Sequence, residues 1–284
     1  MSTAVQEVPT QATQVSVTAE EKFLFDLQGF ILLKGVLSPE ECRRYRGIID
    51  ANEAKTFDDE KQRERLNRTG RPCQPTLARN PTNVRLNGLL RMDPAFHALI
   101  AHPRVAPYLE SFMQGPDRCD GPQLGNTWSI SKFKGDEPMG WHRGVAPFHY
   151  SYRNGRIFTS MLNTVWFLTD NGPDDGCLVA LPGGHKSNLD LEWHRYHGLA
   201  MPGSRAITGE AGDVLLFSET LLHNGLNKTT PGKRTNLYYN YFSRGMEVTM
   251  EHAYHFIMPQ SVRERFSSKQ RAYTEWMEYS AAVE

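Results

Sequence analysis

The feature that most constrains the fold is a series of short apolar segments that begins at about residue 124. The segments are rich in β-branched and aromatic residues, and glycine, proline, asparagine and aspartate separate one from the next. Short strands bounded by turn residues at this spacing are typical of β-barrels and jelly rolls. The predicted strands are residues 126–133, 159–168, 177–181, 214–217 and 235–242.

Helices are predicted before and after this β region. The clearest one begins at Ser38, a favoured N-cap residue, with Pro39 in its first turn and Glu41 completing a capping box. We therefore predict a mainly β protein with flanking helices, in which residues 19–284 form one domain behind a mobile leader at residues 1–18. The other predicted elements are a helix at 20–28, a buried strand at 30–33, an irregular basic stretch at 61–91, a helical piece at 93–113 broken by prolines, and a C-terminal helix at 261–284.

Charge and hydropathy exclude several classes of protein. The 32 Lys and Arg balance the 32 Asp and Glu, which argues against a strongly basic nucleic-acid coat. No apolar run approaches the roughly 18 residues that span a bilayer, and the N-terminus lacks an apolar signal core. We therefore expect a cytoplasmic protein with no membrane and no nucleic-acid polymer as partner. We expect reduced thiols at the four widely spaced cysteines, Cys42, Cys73, Cys119 and Cys177.

Two of the ten histidines stand out because they lie at predicted strand ends. His142 follows the strand at 126–133, and His223 follows the strand at 214–217. Arg234 comes eleven residues after His223 and opens the next strand. Strand ends of a jelly roll converge at one mouth, where two imidazoles form part of a facial iron site and an arginine clamps a carboxylate. Structural roles are expected for His97, His102, the pair His194 and His197 and the pair His252 and His255, whereas His149 and His185 lie in loops that can line a site.

Four segments occur in a fixed order: FILLKGVLSPEE at 30–41, WFLTD at 166–170, GCLVALPGGHK at 176–186, and the spacing from His223 to Arg234. Together they resemble the phytanoyl-CoA dioxygenase family of iron(II)/2-oxoglutarate oxygenases, from about residue 20 to 245. The resemblance implies a double-stranded β-helix, a cupin-like jelly roll, in which His142 and His223 hold iron(II). It also implies O2 as cosubstrate, Arg234 on the distal carboxylate of 2-oxoglutarate, and Trp166 near that cosubstrate. The alternative role for Trp166 is a core aromatic.

One position departs from the family pattern. Hydroxylases of the family carry His-x-Asp or His-x-Glu at the first ligand, whereas this chain has His142, Arg143 and Gly144. Glycine cannot ligate a metal, so one of about six ligand positions and one negative charge are lost, and chloride restores both. The His-x-Gly pattern resembles the non-haem iron halogenases, which implies chlorination of an sp3 carbon. We therefore predict a halogenase in which Arg143 favours anion binding or orients the substrate; its alternative is an ion-paired loop residue.

Three alternatives stay open. Another carboxylate, from Glu219, Asp170 or Asp174, fills the gap beside Gly144. Water fills it, which leaves an iron(II)/2-oxoglutarate-dependent hydroxylase or oxidase. In the third alternative the site is degenerate, and the protein is a non-catalytic ligand-binding jelly roll. Retention of both histidines and of the arginine argues against the third.

A basic segment bears on the substrate. Residues 61–91 contain eight Lys or Arg and one acid, a net of seven positive charges within a neutral chain. If this segment covers the mouth of the site, Arg79 and Arg85 receive a phosphate or carboxylate through charge-assisted hydrogen bonds. We therefore predict a small, anionic, nucleotide-like substrate; the alternative is a solvated charged loop. Further candidates around the mouth are Arg153, Arg156, Lys186 and the aromatic residues His149, Tyr150 and Tyr152.

Overall fold

The computed structural model describes residues 16–54, 76–115, 121–135, 139–187, 192–244, 246 and 258–281. Its helices are α1 (Ala19–Gln28), α2 (Pro39–Glu53), α3 (Leu89–Met92), α4 (Ala106–Phe112), α5 (Gln260–Glu264) and α6 (Ser268–Tyr273), with a 3-10 helix at Pro94–Leu99 and shorter ones at Pro147–His149, Trp193–Arg195 and Gly198–Ala200. Its strands are β1 (Phe30–Leu33), β2 (Thr76–Asn80), β3 (Asn83–Asn87), β4 (Pro122–Lys132), β5 (Tyr150–Arg153), β6 (Arg156–Thr159), β7 (Met161–Phe167), β8 (Leu178–Ala180), β9 (Arg205–Ile207), β10 (Val214–Ser218), β11 (His223–Gly225), β12 (Arg234–Ser243), β13 (Met258–Pro259) and β14 (Tyr279–Ser280).

Two antiparallel sheets carry the fold. The larger has seven strands in the order β1-β10-β7-β12-β4-β3-β2, and the smaller has three in the order β11-β8-β9. Strands that are distant in sequence are neighbours in these sheets, as β12 is to both β4 and β7. This arrangement confirms the predicted mainly β, jelly-roll class.

Helix caps define the N-terminal elements as the sequence predicts. The Ser38 side chain accepts from the Glu41 amide at 3.2 Å, and the Glu41 carboxylate accepts from the Ser38 amide at 2.7 Å. This capping box starts α2 at Pro39. At the end of α1, Gly29 takes the left-handed conformation at φ 82°, and β1 then pairs with β10.

Two segments differ from the sequence predictions. Residues 76–87, predicted to be irregular, form the β2–β3 hairpin on the edge of the large sheet, while 61–75 lie outside the described residues. The single C-terminal helix is wrong, because Ser267 accepts from the Gln270 amide and starts a new helix, α6, after α5 has ended. The chain then returns as β14, which pairs with β13.

Some predictions concern residues outside the described parts of the chain. They are most of the leader, namely residues 1–15, together with Cys73, Cys119, His252 and His255.

The main core lies between the large sheet and the helices. Leu162, Trp166 and Tyr239 point from β7 and β12 to this side, where Phe25 of α1 and Phe112 of α4 stack at 3.8 Å. Burial of such large side chains is the main favourable term in folding. The opposite face of the sheet turns toward the smaller sheet. None of the helices in the described residues has the length and apolar character needed to cross a membrane.

Candidate active site

The large and small sheets enclose a cavity of about 200 Å³ between them. Alternate residues of each strand face it, because successive side chains of a strand point to opposite faces. On β7, for example, Asn163, Val165 and Phe167 line the cavity. The other described lining residues are Arg85, Trp128, Ile130, Lys132, Met139, His142, Asn171, Gly176, Leu178, Phe217, Glu219, His223, Asn224, Gly225, Arg234, Asn236 and Tyr238.

His142 and His223 face each other at this cavity, with ring centroids 4.2 Å apart. Nδ1 of His142 lies 2.9 Å from the carbonyl oxygen of Gly140, and Nδ1 of His223 lies 2.9 Å from that of Leu221. A carbonyl oxygen only accepts hydrogen bonds, so each Nδ1 donates and each Nε2 keeps a lone pair for a metal. Burial lowers the pKa of His223 to about 3, which keeps this imidazole neutral as a ligand must be.

Backbone hydrogen bonds dock the segment that carries His142 onto the segment that carries His223. These two residues exchange a pair of backbone bonds of 2.9 Å each. The amides of Gly144 and Val145 donate to the carbonyl oxygen of Glu219 at 2.9 and 3.2 Å. The register that brings the two histidines together therefore also brings Glu219 against Gly144.

Glu219 is the acidic residue among the described residues that line the cavity. Its Oε1 accepts from the side-chain amide of Asn163, whose own oxygen accepts from Asn240 at 2.8 Å. Burial raises the pKa of Glu219 to about 7, although hydrogen bonds from Asn163 and Gly144 act in the opposite direction. A Cβ atom placed on Gly144 would lie 2.9 Å from the Glu219 carboxylate carbon, closer than two such atoms pack.

Arg234 is a buried cation in the same cavity, only 3% exposed. One Nη donates to the Gly176 carbonyl at 3.0 Å, and the other lies 2.8 Å from the side-chain amide of Asn236. Its Nε has no hydrogen-bond partner among the described residues, and neither does either side-chain amide atom of the buried Asn224, which lines the same cavity. A buried guanidinium that pairs with no carboxylate of the described residues is costly. These groups fit a carboxylate ligand such as 2-oxoglutarate.

The histidine pair fits a non-haem iron ion. Two neutral imidazoles beside open positions are the nitrogen donors of such sites. Within the described ranges no three His, Cys, Asp or Glu side chains already stand in a metal-holding arrangement. Among the described residues the two imidazoles are therefore the preformed part of such a site, and Glu219 is the carboxylate that lines the same cavity.

Basic and aromatic side chains form another part of the cavity wall. The Arg85 guanidinium lies 4.8 Å from the centre of the Trp128 ring, and Trp128 stacks on Tyr238 at 5.2 Å. Lys132 is also buried, with Nζ donating to the Leu226 carbonyl at 3.0 Å. Three cations and one acid thus face the cavity among the described lining residues, so its field favours anions.

Three predicted site residues, Trp166, Arg143 and Gly144, are not among the described cavity-lining residues. Trp166 is fully buried in the core, where its Nε1 donates to Thr164 at 3.1 Å and its ring contacts His102. Trp166 alternates along β7 with the residues that line the cavity, so its side chain points to the other face of the sheet. Of its two predicted roles, the structure therefore supports that of a core aromatic. The Arg143 guanidinium lies 5.2 Å from the centre of the Trp193 ring and does not line the cavity with His142 and His223.

The other candidate carboxylates do not reach the cavity. Asp170 accepts from the Ala211 amide at 2.9 Å, and Asp174 accepts from the Thr229 hydroxyl at 3.0 Å. Neither lines the cavity, whereas Glu219 does.

The basic segment contributes one described arginine to the cavity. Arg85 lines it, but Arg79 of the same hairpin donates to the backbone carbonyl of Glu53 at the end of α2. Of the loop candidates, Tyr150 and Lys186 both bind Asp26, at 2.7 and 2.9 Å. The remaining candidates, His149, Tyr152, Arg153, Arg156 and His185, are also absent from the lining.

Several lining residues escape sequence reasoning. Asn163, Lys132 and Asn224 lie within or beside apolar strands, and each is buried. A polar residue among apolar neighbours is the sequence pattern that could have identified them. Such a residue is expected to be buried, and a buried polar group needs a hydrogen-bond partner.

The fold and the two-histidine cavity define a protein of the iron- and 2-oxoglutarate-dependent oxygenase type. The sequence profile of the phytanoyl-CoA dioxygenase (PhyH) family matches residues 25–236, and this chain belongs to that family.

Three relatives illustrate the range of similar proteins. Ectoine dioxygenase of Nocardia farcinica is 24% identical, and the similarity covers 78% of this chain and 76% of the relative. HygX from Streptomyces hygroscopicus, solved with nickel, 2-oxoglutarate and hygromycin B bound, has a TM-score of 0.63 at 22% identity and covers 79% of this chain and 87% of its own. SnoN, a non-haem α-ketoglutarate-dependent epimerase from nogalamycin biosynthesis, has a TM-score of 0.54 at 16% identity and covers 78% of this chain and 80% of its own. At these identities the two solved structures support the fold.

Proposed function

We propose that this protein is an iron(II)- and 2-oxoglutarate-dependent oxygenase that oxidises an sp3 carbon of a small, polar, anionic metabolite. The observation that carries the proposal is the pair His142 and His223, whose Nε2 lone pairs are left open by hydrogen bonds at Nδ1. Beside them lies Arg234, whose Nε has no hydrogen-bond partner among the described residues. Membership of the phytanoyl-CoA dioxygenase family supports the proposal. HygX, which was solved with iron or with nickel and 2-oxoglutarate, and SnoN, which was solved with Fe3+ and α-ketoglutarate, support it as well. A cytoplasmic location is part of the proposal; the buried free thiols of Cys42 and Cys177 suit a reducing compartment.

The residues of the chain have distinct roles in this proposal. His142 and His223 hold the metal, and Arg234 binds the distal carboxylate of 2-oxoglutarate by charge-assisted hydrogen bonds. Val165 and Phe217 give the cavity an apolar wall that limits water. When bound, iron and 2-oxoglutarate supply the oxidising chemistry, while the protein fixes which C–H bond is presented.

Hydroxylation is the outcome that we favour. In the balanced reaction, the substrate C–H bond, O2 and 2-oxoglutarate are converted to the substrate C–OH group, succinate and CO2. The carboxylate of Glu219 occupies the space beside Gly144, so that space is not left for an anion from solution. The nearby negative charge of Glu219, when ionised, would also repel chloride.

Chlorination is the second candidate, because residue 144 carries no side chain. Its balance is substrate C–H, chloride, a proton, O2 and 2-oxoglutarate giving substrate C–Cl, water, succinate and CO2. The resemblance of His-x-Gly to the halogenase pattern supports this candidate, and chloride dependence separates it from hydroxylation.

An anionic substrate follows from the charges of the cavity. Arg234 is assigned to 2-oxoglutarate, and Arg85 and Lys132 add positive charge to the same cavity wall, which favours a second anion there. The Trp128 ring beside Arg85 offers an aromatic surface, which suits a substrate with a planar group.

An anaerobic titration tests the function. Adding iron(II) and then 2-oxoglutarate to the protein should produce a visible charge-transfer band, and admitting O2 should produce succinate. His223→Ala and Arg234→Gln should each reduce succinate formation at least about 100-fold, because each removes a required contact. Arg205→Gln, which removes an exposed arginine of β9, serves as the matched control and should retain activity.

Absence of both band and succinate in the wild type would support a non-catalytic binding protein instead. A band that shifts with chloride, together with a product that carries chlorine or bromine according to the halide supplied, would favour chlorination over hydroxylation.

A further inference from the structure

The structure contains a carboxylate in the space that a side chain at position 144 would need. A Cβ atom on Gly144 would lie 2.9 Å from Cδ and 3.3 Å from Cβ of Glu219, and closer still to Oε2. Gly144 and Glu219 are also joined by a backbone hydrogen bond of 2.9 Å. The absence of a side chain at position 144 therefore provides the space that the Glu219 side chain occupies.

A chain of side-chain amides orients this carboxylate. Asn240 donates to Oδ1 of Asn163 at 2.8 Å, which leaves the Asn163 amide nitrogen to donate to Oε1 of Glu219. The second oxygen, Oε2, then lies on the Gly144 side. Carboxylates that bind metals are commonly held through one oxygen by such an outer hydrogen bond while the other ligates.

Glu219 has no cationic partner in the described residues. Within the part of the chain that the structure describes it forms no ion pair with Lys, Arg or His, and it lines a cavity whose walls include Val165 and Phe217. Leaving a carboxylate so placed without a counter-charge is costly. A divalent metal held by His142 and His223 would provide that charge at the same cavity wall.

We propose that Glu219 supplies the carboxylate ligand that relatives with His-x-Asp carry two residues after the first histidine. This inference rests on the proposed function and adds a specific source for the missing ligand. The carboxylate would come from the residue that follows β10 instead of from the segment of His142, with Oε2 turning from Gly144 toward the metal while Oε1 keeps its hydrogen bond from Asn163. Gly144 is then required because a larger residue would displace Glu219.

Manganese(II) is a suitable probe because its binding is read directly from the EPR signal of the free ion, without turnover. Glu219→Gln keeps the shape and can still accept from Asn163, but it removes the charge. We expect it to weaken Mn²⁺ binding about 10-fold or more in the presence of 2-oxoglutarate. Asp170→Asn, an exposed carboxylate outside the cavity, is the control and should bind as the wild type does.

A relocated ligand provides the sharper test. Gly144→Asp alone should weaken Mn²⁺ binding, because two carboxylates compete for one volume. The double variant Gly144→Asp with Glu219→Ala should recover at least part of the affinity lost in Glu219→Ala. In Glu219→Ala with iron(II) and 2-oxoglutarate, added chloride should shift the charge-transfer band, whereas the wild-type band should not respond.

The outcomes separate this inference from the proposed function. Wild-type protein that binds neither Mn²⁺ nor 2-oxoglutarate would overturn both. Wild-type binding that Glu219→Gln leaves unchanged, or a Gly144→Asp variant that binds more tightly with Glu219 intact, would overturn the role of Glu219 and leave the function standing. Thermal unfolding of each variant checks that lost affinity does not come from lost structure.

Discussion

Gly144 and Gly29 are among the described glycines that leave room for a side chain from a distant segment. At Gly144 the space holds the carboxylate of Glu219, and at Gly29 it holds the imidazole of His185. A Cβ on Gly29 would lie 2.5 Å from Nδ1 of His185, and Gly29 also has a φ of 82°. The second requirement is conformational, because left-handed backbone disfavours any side chain.

Gly29→Ala is expected to destabilise the protein by roughly 2–4 kcal/mol, since it adds backbone strain and overpacks the site. Urea unfolding measures this free energy. Gly35→Ala is the matched control, because Gly35 has a φ of 56° but no atom within 4 Å of an added Cβ. It should cost only about 1–2 kcal/mol, from strain alone. Equal losses in the two variants would contradict the steric part of the explanation.

The strands show how far the sequence predicts this molecule. Apolar runs placed β4, β7, β10 and β12 within a few residues of their observed bounds, and a capping box placed the start of α2. The β2–β3 hairpin was missed because its arginines and asparagines resemble a loop when the edge of the sheet that receives them is unknown. Sequence patterns give a strand's existence more reliably than its neighbours.

The site follows the same division. His142, His223 and Arg234 could be grouped because strand ends of a jelly roll converge, and the structure brings them to one cavity. The contact between Gly144 and Glu219 depends on the register of two backbone segments, which no local pattern encodes. The sequence also does not tell which face of the sheet each strand residue occupies. Val165 lies at the cavity, whereas the next residue, Trp166, lies in the core.

The β2–β3 hairpin carries two arginines whose side chains lie in different places. Comparing variants of the two therefore tests whether the substrate is an anion. Arg85 lines the cavity, and Arg79 binds the carbonyl of Glu53. Adenosine monophosphate is the probe, with adenosine as its uncharged counterpart, in calorimetric titrations of protein loaded with Mn²⁺ and 2-oxoglutarate. Arg85→Gln should weaken binding of the monophosphate about 10-fold or more, the cost of a lost charge-assisted hydrogen bond.

Arg79→Gln removes the same charge from the same hairpin and should leave binding of the monophosphate unchanged. Equal weakening in both variants would indicate a general effect of the hairpin's charge. If the wild type does not distinguish the monophosphate from adenosine, the expectation of a nucleotide-like anion is wrong.

At the scale of the whole molecule, α1 ties the N-terminal region to turns from the β region. Its Asp26 accepts from the Tyr150 hydroxyl at 2.7 Å and pairs with Lys186 at 2.9 Å. The neighbouring His185 is fully buried and packs perpendicular to the Tyr150 ring at a centroid distance of 4.4 Å. The segment 182–186, which the sequence singled out as a family motif, thus connects separate parts of the fold.

This arrangement predicts how stability depends on pH. Burial lowers the pKa of His185 from about 6.5 to about 4, an effect that neighbouring Lys186 reinforces and Asp26 opposes. Between these values the unfolded chain binds a proton at His185 that the folded protein does not, so the contribution of His185 to stability is full above pH 6.5 and falls as the pH decreases toward 4. The loss from this residue is about 3 kcal/mol at most. Burial lowers the pKa of His97, His102 and His223 as well, so they contribute with the same sign, whereas burial raises the pKa of Glu219, which contributes with the opposite sign.

Urea unfolding at pH 7, 5.5 and 4.5 measures the loss, and His185→Gln should reduce it because an amide does not titrate. The absolute stability of this variant falls at pH 7 through altered packing, so the comparison is between slopes. His194→Gln replaces an exposed histidine and should retain the wild-type slope. Asp26 does not interfere with this measurement, because it titrates below the pH range used. Burial alone would raise the pKa of Asp26, but hydrogen bonds from Lys186 and Tyr150 outweigh burial and hold the pKa below its usual 3.8. A slope that is unchanged in His185→Gln would mean that His97, His102 or another group governs the acid sensitivity of the fold.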